Sequence, residues 1–455
     1  MFNVQEAVKV HQKTILCVDD SVVICRMISN VLERNNYKVQ VAFDSMEASR
    51  KLDQYPIDLV LLDLHLPREI DGMELLKWTL KEKPYVSVIM MSANVSVKSA
   101  IEAVKMGAFH FLEKPIDNEL LLLTIEKALS KKYLEYELIR AKSHIVGESP
   151  VMKNIYERII KFSGSDANVL ITGDTGTGKE LVAKAIHVLG KRAQKGFVAF
   201  NCAAIPHSLF ESEMFGHAKG SFTGAISDHR GFFEQANGGT LLMDEIEELT
   251  VDQQAKLLRV IQDRQFRRIG STKVTHFDVR ILAASNKNLQ EMMAEGTFRQ
   301  DLYQRLNILN IELPPLKARR EDIPSLVEYF LNHYADGRKE ESKIITTELM
   351  QKLMEYDWPG NIRELENSLL RAVELAPGSY LRDEDFDLFG DDSEKPDTSL
   401  KAALKRYERD YIIQQLAIYQ WNVIETAAAL GIDRTNLFRK MKAHNVPTKR
   451  SRETN

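Results

Sequence analysis

Cysteine is scarce in this chain: Cys17, Cys25 and Cys202 are the 3 in 455 residues, at separations that match no metal-ligand pattern. So sparse and odd a set excludes a disulfide-stapled scaffold and points to a reducing compartment, the cytoplasm. Long apolar runs are missing too. No stretch approaches the roughly 20 residues that a membrane helix needs, and residues 1–13 lack the apolar core of a secretion signal. Net charge is nearly absent at -4, but it is unevenly spread. From Ser399 onward eleven Lys and Arg stand against five Asp and Glu, an excess that suits a polyanionic partner. What remains is a globular composition, 44% hydrophobic and 28% charged, with length for roughly three domains.

The chain is organised around Gly173, Asp174, Thr175, Gly176, Thr177, Gly178, Lys179 and Glu180. The apolar run 168–172 before them reads as a buried strand, and Leu181, Val182, Ala185 and Ile186 recur at helical spacing after them. Strand, glycine-rich turn and helix together make the context of a phosphate-binding loop. The glycines let the backbone turn tightly, so that its amides and the helix N-terminus face an anion. Lys179 supplies a point charge to the β- and γ-phosphates of a nucleotide. Glu180 stands where a magnesium-binding hydroxyl is usual, so part of the metal ligation must lie elsewhere. Residues 239–245 form an apolar strand ending in Asp244 and Glu245, the Walker B arrangement. Asp244 is placed to bind magnesium, and Glu245 to orient and deprotonate the attacking water. A further strand at 279–283 ends at Ser285 and Asn286, a polar tip suited to sensing the γ-phosphate. An ordinary glycine turn or surface acidic pair would account for one of these features, not for the set.

Residues 13–129 alternate short apolar runs (Thr14–Val18, Lys38–Ala42, 57–62, 87–91, 109–112) with helical patterns such as Val22–Arg34 and Val97–Met106. This predicts a doubly wound α/β domain with a parallel sheet. Ligands of such sheets sit at the carboxyl ends of the strands, which here carry Asp19 and Asp20, Asp63, Ser92 and Lys114. Three carboxylates on one edge repel one another unless a divalent cation lies among them, and oxygen ligands suit magnesium. The set, closing on Lys114-Pro115, resembles the receiver domain of bacterial response regulators. The resemblance implies that Asp63 accepts a phosphoryl group from a sensor histidine kinase. It implies a magnesium site of Asp20, Asp63 and the His65 carbonyl supported by Asp19, phosphoryl contacts from Ser92 and Lys114, and an aromatic switch at Phe111. The loop 67–72 is one residue longer than is usual in that family. The helical pattern from Asn118 runs on to Ile139, beyond what a receiver needs. Residues 130–142 are expected to be a helical linker, either pairing with a second copy or solvated.

The phosphate-loop module resembles AAA+ ATPases and, through residues 213–225, the sigma-54 activators of the NtrC family. Its loop Gly220, Ser221, Phe222, Thr223, Gly224, Ala225 reads G-S-F-T-G-A where the family has G-A-F-T-G-A, and the resemblance implies contact with the sigma factor. Glycines around Phe222 and Thr223 suit a flexible tip carrying one apolar anchor. The resemblance further implies that Asn201 holds Glu245 until the nucleotide state changes. Arg299 and Arg305 would reach a neighbouring subunit's ATP, which requires a ring, in this family a hexamer. Such arginines stabilise charge on the transferred phosphoryl group. Arg363 would be a second sensor, on a helical lid at 320–376.

Residues 390–397 are acidic and polar and read as a linker. Leu400, Leu404, Tyr407, Tyr411, Ile412 and Leu416 then form one apolar stripe, and residues 423–432 a short helix and a glycine turn. Asp433 is placed to cap a basic helix, Arg434–Ala443. Two short helices about a turn, the second basic, suit helix-turn-helix docking in the major groove better than an oligomerisation module. Arg434, Thr435, Asn436 and Arg439 are candidates for base edges, Lys440 and Lys442 for phosphates. The segment resembles the Fis-type domain of the same activators. The expected architecture is α/β multidomain. It comprises a flavodoxin-like receiver at 12–129, a linker at 130–143, an AAA+ P-loop ATPase with helical lid at 144–380, a linker at 381–398 and an all-α helix-turn-helix at 399–446. The expected function is a phosphorylation-controlled ATPase that binds duplex enhancer DNA as a dimer, assembles further, and remodels sigma-54 RNA polymerase. A regulator or remodeller with another client is the alternative. A DNA-binding switch with a decayed ATPase is disfavoured by intact Lys179, Asp244, Glu245 and Arg299.

Overall fold

Strands buried on both faces pair in parallel and read as continuous apolar runs. The centre of the first sheet is built this way, from β1 Thr14–Val18, β3 Leu59–Asp63 and β4 Ser87–Ser92, while the half-buried β2 Lys38–Ala42 and β5 His110–Glu113 form its edges. Its order is β2-β1-β3-β4-β5, all parallel, as in flavodoxin-like sheets. Alternate residues feed two cores. Ile15, Cys17, Leu59 and Leu61 pack against α1 (Val22–Arg34) and α5 (Asn118–Ser143). Leu16, Val18, Val60 and Leu62 pack against α2 (Ser45–Gln54), α3 (Gly72–Glu82) and α4 (Val97–Met106). Ser21, Asp44, Asp71 and Asp117 accept backbone amides at the N-termini of α1, α2, α3 and α5. The computed structural model describes residues 12–67, 71–93, 97–222, 224–338, 342–376, 378–386, 408–409, 411–412, 415–416, 419, 421–444 and 446. The acidic linker and the stripe positions Leu400, Leu404 and Tyr407 lie outside them.

The third strand begins later than its apolar run suggests. Asp58 is drawn out of the strand pattern by its side chain, which accepts from the Thr14 amide at 3.0 Å and from Lys13 at 3.1 Å.

The second sheet comprises β6 Val169–Thr172, β7 Phe197–Asn201, β8 Thr240–Asp244, β11 Arg280–Ser285 and β12 Leu309–Glu312, in the order β12-β6-β11-β8-β7 and parallel throughout. A small antiparallel hairpin, β9 Gln265–Arg267 and β10 Val274–His276, projects from it. Helices α6 (Pro150–Ser163) and α7 (Lys179–Val188) cover one face. The lid follows as α8 Ile323–Arg338, α9 Thr347–Glu355 and α10 Asn361–Leu375.

The chain divides into two compact units, Met1–Phe386 and Asp387–Asn455, so both sheets belong to the first. The reason lies in α5, one unbroken helix of 26 residues. Ile139 is fully buried in the second module's core, and the Tyr136 ring lies 5.2 Å from that of Tyr156. Tyr136 donates its hydroxyl to Glu157 at 2.8 Å, and Lys132 pairs with the same carboxylate at 2.5 Å. This face of the expected linker is neither solvated nor open to a second copy, whereas Tyr133, Leu134 and Leu138 on the remainder are exposed. Lys153 of α6 reaches back to Asp58 at 3.3 Å. In the second unit, α11 Val423–Ala429 and α12 Arg434–Ala443 enclose a small core of Ile412, Leu416, Ala427, Leu437, Met441 and Val446.

Burial raises the pKa of Asp58, but the Lys153 and Lys13 ammonium groups outweigh it and hold the carboxyl below its ordinary value. A depressed carboxyl stabilises fully above its unfolded pKa of about 4 and loses that contribution as pH falls through the folded value. Asp58→Ala should cost the first module about 1–3 kcal/mol at neutral pH, read as faster amide exchange in β1 and β3. The difference from the unmutated chain should shrink below about pH 4.

Candidate functional site

At the carboxyl edge of the first sheet, Asp19 and Asp63 are buried and Asp20 is exposed, with one carboxylate oxygen from each within 4.8 Å of the others. Lys114, just beyond β5, donates to Asp19 Oδ2 at 2.5 Å and to Asp63 Oδ2 at 2.7 Å. Burial works against its ammonium, but the two carboxylates prevail and raise its pKa. Burial likewise pushes the Asp19 carboxyl up, against the hydrogen bond from Lys114. The His65 amide donates to Asp63 Oδ1 at 3.3 Å. Ser92 is buried at the end of β4, and its carbonyl accepts from the Lys114 amide at 2.8 Å. Phe111 packs half-buried against the core beneath α2, α3 and α4. Gly72 is required here by contact: a Cβ would stand 2.1 Å from the Asp63 carbonyl oxygen.

The second edge encloses a cavity of about 540 Å³, within the range of small-molecule sites. Thr175, Gly176, Thr177, Gly178, Lys179 and Glu180 line it together with Asp244, Glu245, Asn286 and Arg363. Gly173 and Asp174 form the base of the loop, their carbonyls accepting from Lys179 Nζ at 2.7 and 3.1 Å. Burial lowers the Lys179 pKa, against the opposing pull of Asp244, Glu247 and Glu245. Burial raises that of Asp244, whose Oδ1 accepts from the Glu245 amide at 3.0 Å. Glu245 sits at φ 54°, a conformation uncommon for non-glycine residues and concentrated at functional sites. Beyond the loop, Ile145, Val146, Leu326, Tyr329 and Phe330 give the cavity an apolar and aromatic end suited to a flat base.

The other anticipated residues fall as follows. Asn201 is in register with Asp244, and its Oδ1 accepts from the Ala203 amide at 2.8 Å. Arg299 is bidentate with Asp301, at 3.0 and 2.6 Å, and Arg305 is exposed; neither lines its own chain's cavity. In the loop, the Gly220 amide donates to the Ala225 carbonyl at 2.8 Å, closing a tight turn that also holds Gly224. Phe222 is 38% exposed with its ring edge-on to His217 at 5.0 Å, so it is half covered rather than freely projecting. The Ser221 hydroxyl is buried with no hydrogen-bond partner among the described residues, and Thr223 lies outside them. In the second unit, Asp433 accepts from the Asn436 amide at 2.8 Å, and Asn436 from Arg439 at 3.1 Å. Arg434 lies over the Phe438 ring, and Thr435 and Lys442 are exposed. Lys440 forms an ion pair with Glu408, a tether that the basic pattern of α12 did not reveal.

Comparison with known proteins gives four successive matches. They are a response regulator receiver domain at 15–126, a sigma-54 interaction domain at 145–312, an AAA+ ATPase lid domain at 317–403 and a bacterial regulatory protein of the Fis family at 403–444. The transcriptional regulatory protein ZraR of Klebsiella oxytoca is 41% identical over 445 residues, covering 94% of this chain and 99% of that protein. The chain belongs to the sigma-54-dependent response regulators. The regulatory protein AtoC of Escherichia coli K12 is 40% identical over 451 residues, with 95% and 98% covered. A crystal structure of NtrX from Brucella abortus in complex with ADP is similar at 34% identity and a TM-score of 0.51, covering 95% of this chain and 99% of that one. This sigma-54-dependent regulator is therefore a two-component response regulator with receiver, AAA+ and helix-turn-helix modules, homologous to transcriptional activators. Among the described residues no helix is long and apolar enough to cross a membrane.

Two residues of this regulator's cavity region escaped the sequence reading. Arg319 is 2% exposed and donates to the Thr177 carbonyl at 3.1 Å, joining the start of the lid to the phosphate loop. Asn361 does the same from α10: Nδ2 donates to the Thr175 carbonyl at 3.0 Å and Oδ1 accepts from the Leu316 amide at 2.7 Å. The Ile362 amide bonds the Gly176 carbonyl at 3.0 Å, and a Cβ on Gly176 would stand 2.3 Å from the Gly360 carbonyl oxygen. The available signal was Trp358-Pro359-Gly360-Asn361, a turn placing Asn361 at φ 55°, which Asn tolerates better than most residues. Asn361→Ala should lower the stability of the lid by about 1–3 kcal/mol. Amide exchange at Ile362 and Leu316 should quicken while that of β1–β5 stays unchanged.

Proposed function

We propose that this regulator hydrolyses ATP in the 540 Å³ cavity and uses the cycle to open promoters held by sigma-54 polymerase. The observation that carries the reading is the convergence of Lys179, Asp244, Glu245, Asn286 and Arg363 on that one cavity. The adenine base suits the apolar end, and the phosphates suit the loop amides at the N-terminus of α7. Lys179 meets the β- and γ-phosphate charge. Glu245 orients the attacking water and takes its proton as the oxygen–phosphorus bond forms and ADP leaves. Asn286 and Arg363 report whether the γ-phosphate is present. Arg299 and Arg305, outside their own cavity, are suited to a neighbour's nucleotide, so the working form is a ring, a hexamer in this reading. Asn201 couples Glu245 to the nucleotide state.

The donor sets fit magnesium at both edges. Asp19, Asp20 and Asp63 gather three carboxylates against the single ammonium of Lys114, and Asp244 presents a carboxylate beside the phosphate loop. The ion supplies charge neutralisation of phosphate oxygens when bound. Asp63 takes the phosphoryl group from a sensor histidine kinase, where Lys114 and Ser92 meet its charge and Phe111 responds. Residues 220–225 contact sigma-54. Arg434, Thr435, Asn436 and Arg439 read enhancer DNA, and Lys442, with Lys440 once released from Glu408, meets phosphates. The receiver ends near residue 129, the ATPase and lid span 144–380, and the DNA-binding domain begins near 399. The chain acts in the cytoplasm.

Lys179→Ala should weaken ATP binding at least about tenfold. Glu245→Gln should bind ATP normally and turn over roughly 10²–10⁴-fold more slowly. Equilibrium titration and steady-state hydrolysis separate the two, and unimpaired turnover in either variant would refute the assignment.

Phe222→Ala tests the client. The variant should keep ATP hydrolysis and enhancer binding while losing the nucleotide-dependent complex with sigma-54 and open-complex formation. Normal promoter opening would exclude the loop as the sigma contact.

A further inference from the structure

Glu247 has no part in the assignments above, yet at 4% exposure it is more deeply buried than Asp244 or Glu245 beside it. It lies in the single turn Ile246–Glu248 that follows Glu245. Its Oε1 accepts from the Asn286 amide at 3.0 Å, while Oε2 is buried with no hydrogen-bond partner among the described residues. As a stabilising device this is poor. Desolvating a carboxylate costs several kcal/mol, and one hydrogen bond from a neutral amide returns only about 1 kcal/mol. A small or apolar residue would fill the space at lower cost.

What the contact does accomplish is geometric. Asn286 is the polar tip of β11, and Glu245 is the turn at the end of β8. Within the tip, Ser285 Oγ bonds both the amide and the carbonyl of Lys287, at 3.2 and 3.1 Å, so the tip is internally rigid. Glu247 fastens that tip to the Glu245 turn from the buried side. Glu248 repeats the tie at the surface through Lys287 Nζ at 2.6 Å, where an exposed pair contributes little. We propose that Glu247 is a positioning residue of the ATPase: its carboxylate clamps the Asn286 backbone to the turn that carries Glu245. The group that senses the γ-phosphate and the group that activates water thereby keep one geometry. The Glu247 charge is also felt by Lys179, alongside those of Asp244 and Glu245.

This deepens the ATPase reading and rests on it. The test uses the full chain with Glu247→Ala and Glu247→Gln, the second keeping an acceptor for the Asn286 amide. Glu247→Ala should lower kcat for ATP roughly 10–100-fold, the scale of a small misplacement in an active site, with KM unchanged. Glu247→Gln should recover most of the loss. Amide exchange should quicken at Asn286 in the Ala variant and not in the Gln variant, with the phosphate loop unaffected in both. Unchanged kcat and unchanged exchange in Glu247→Ala would overturn the proposal. So would equal damage in both variants with KM rising and exchange quickening throughout β8 and β11, the mark of a merely structural residue. If the unmutated chain binds ATP without hydrolysing it, the ATPase reading falls, and the exchange data alone still decide whether the clamp exists.

Discussion

A parallel sheet brings every strand's carboxyl end to one edge, and both sheets of this regulator use that edge to crowd carboxylates around one lysine. The two lysines resolve the crowding in opposite senses. Lys114 touches Asp19 and Asp63 directly and its pKa rises. Lys179 is bonded to the carbonyls of Gly173 and Asp174, with Asp244, Glu245 and Glu247 acting from farther off, and burial brings its pKa down. The first edge therefore carries surplus negative charge and suits a cation. The second holds its ammonium on backbone carbonyls rather than on the carboxylates, next to the N-terminus of α7, and suits a polyanion. One topology thus yields two complementary ligand preferences through the partner each lysine finds.

The amino-acid pattern made most of this legible because the groups that do chemistry sit at strand ends, where apolar runs stop. Asp63, Ser92, Asp244 and Ser285 are each the last residue of an observed strand. Helices α1 and α4 have the bounds that their periodicity predicts. What escaped were contacts made by residues far apart in sequence. Asn361 reaches Thr175 across 186 positions, and Asp322 accepts from the Glu148 and Ser149 amides across more than 170. Arg319 and Glu247 look like ordinary surface charges in a polar stretch, and only burial sets them apart. Lys440 reads as a phosphate contact on a basic helix until Glu408, outside that helix, is placed beside it.

The opposite edge of the first sheet has a different task. Asp58 precedes β3, and Pro84, whose carbonyl accepts from Lys132 at 3.2 Å, lies shortly before β4. Both face the ATPase module, which supplies Lys153 and Glu157. Five residues of extended chain separate Asp58 from Asp63, about 16 Å. At that range a charge at Asp63 acts on the seam with on the order of 1 kcal/mol at an effective dielectric of about 20. Movement of packed elements is the stronger way to couple the two ends of β3.

One element is built for such movement. Lys114, which bonds Asp63, stands three residues before Asp117, the N-cap of α5. From there α5 runs unbroken for 26 residues, a rod of about 39 Å. Its first turns are packed in the receiver through Leu121, Ile125 and Ala128, and its last through Ile139 in the ATPase core. A rod clamped at both ends transmits rotation or translation without needing a chain of side-chain rearrangements. Because Tyr136 and Ile139 are already committed to α6, any displacement of the helix must either carry α6 with it or break the Tyr136–Glu157 and Lys132–Glu157 contacts. Those contacts are polar and few, whereas Ile139 is fully buried, so the polar contacts are the ones to yield first. Because α5 is packed into both cores, the receiver shifts on the second module only as the Glu157 contacts and the Lys153–Asp58 pair give way and α5 itself turns or bends.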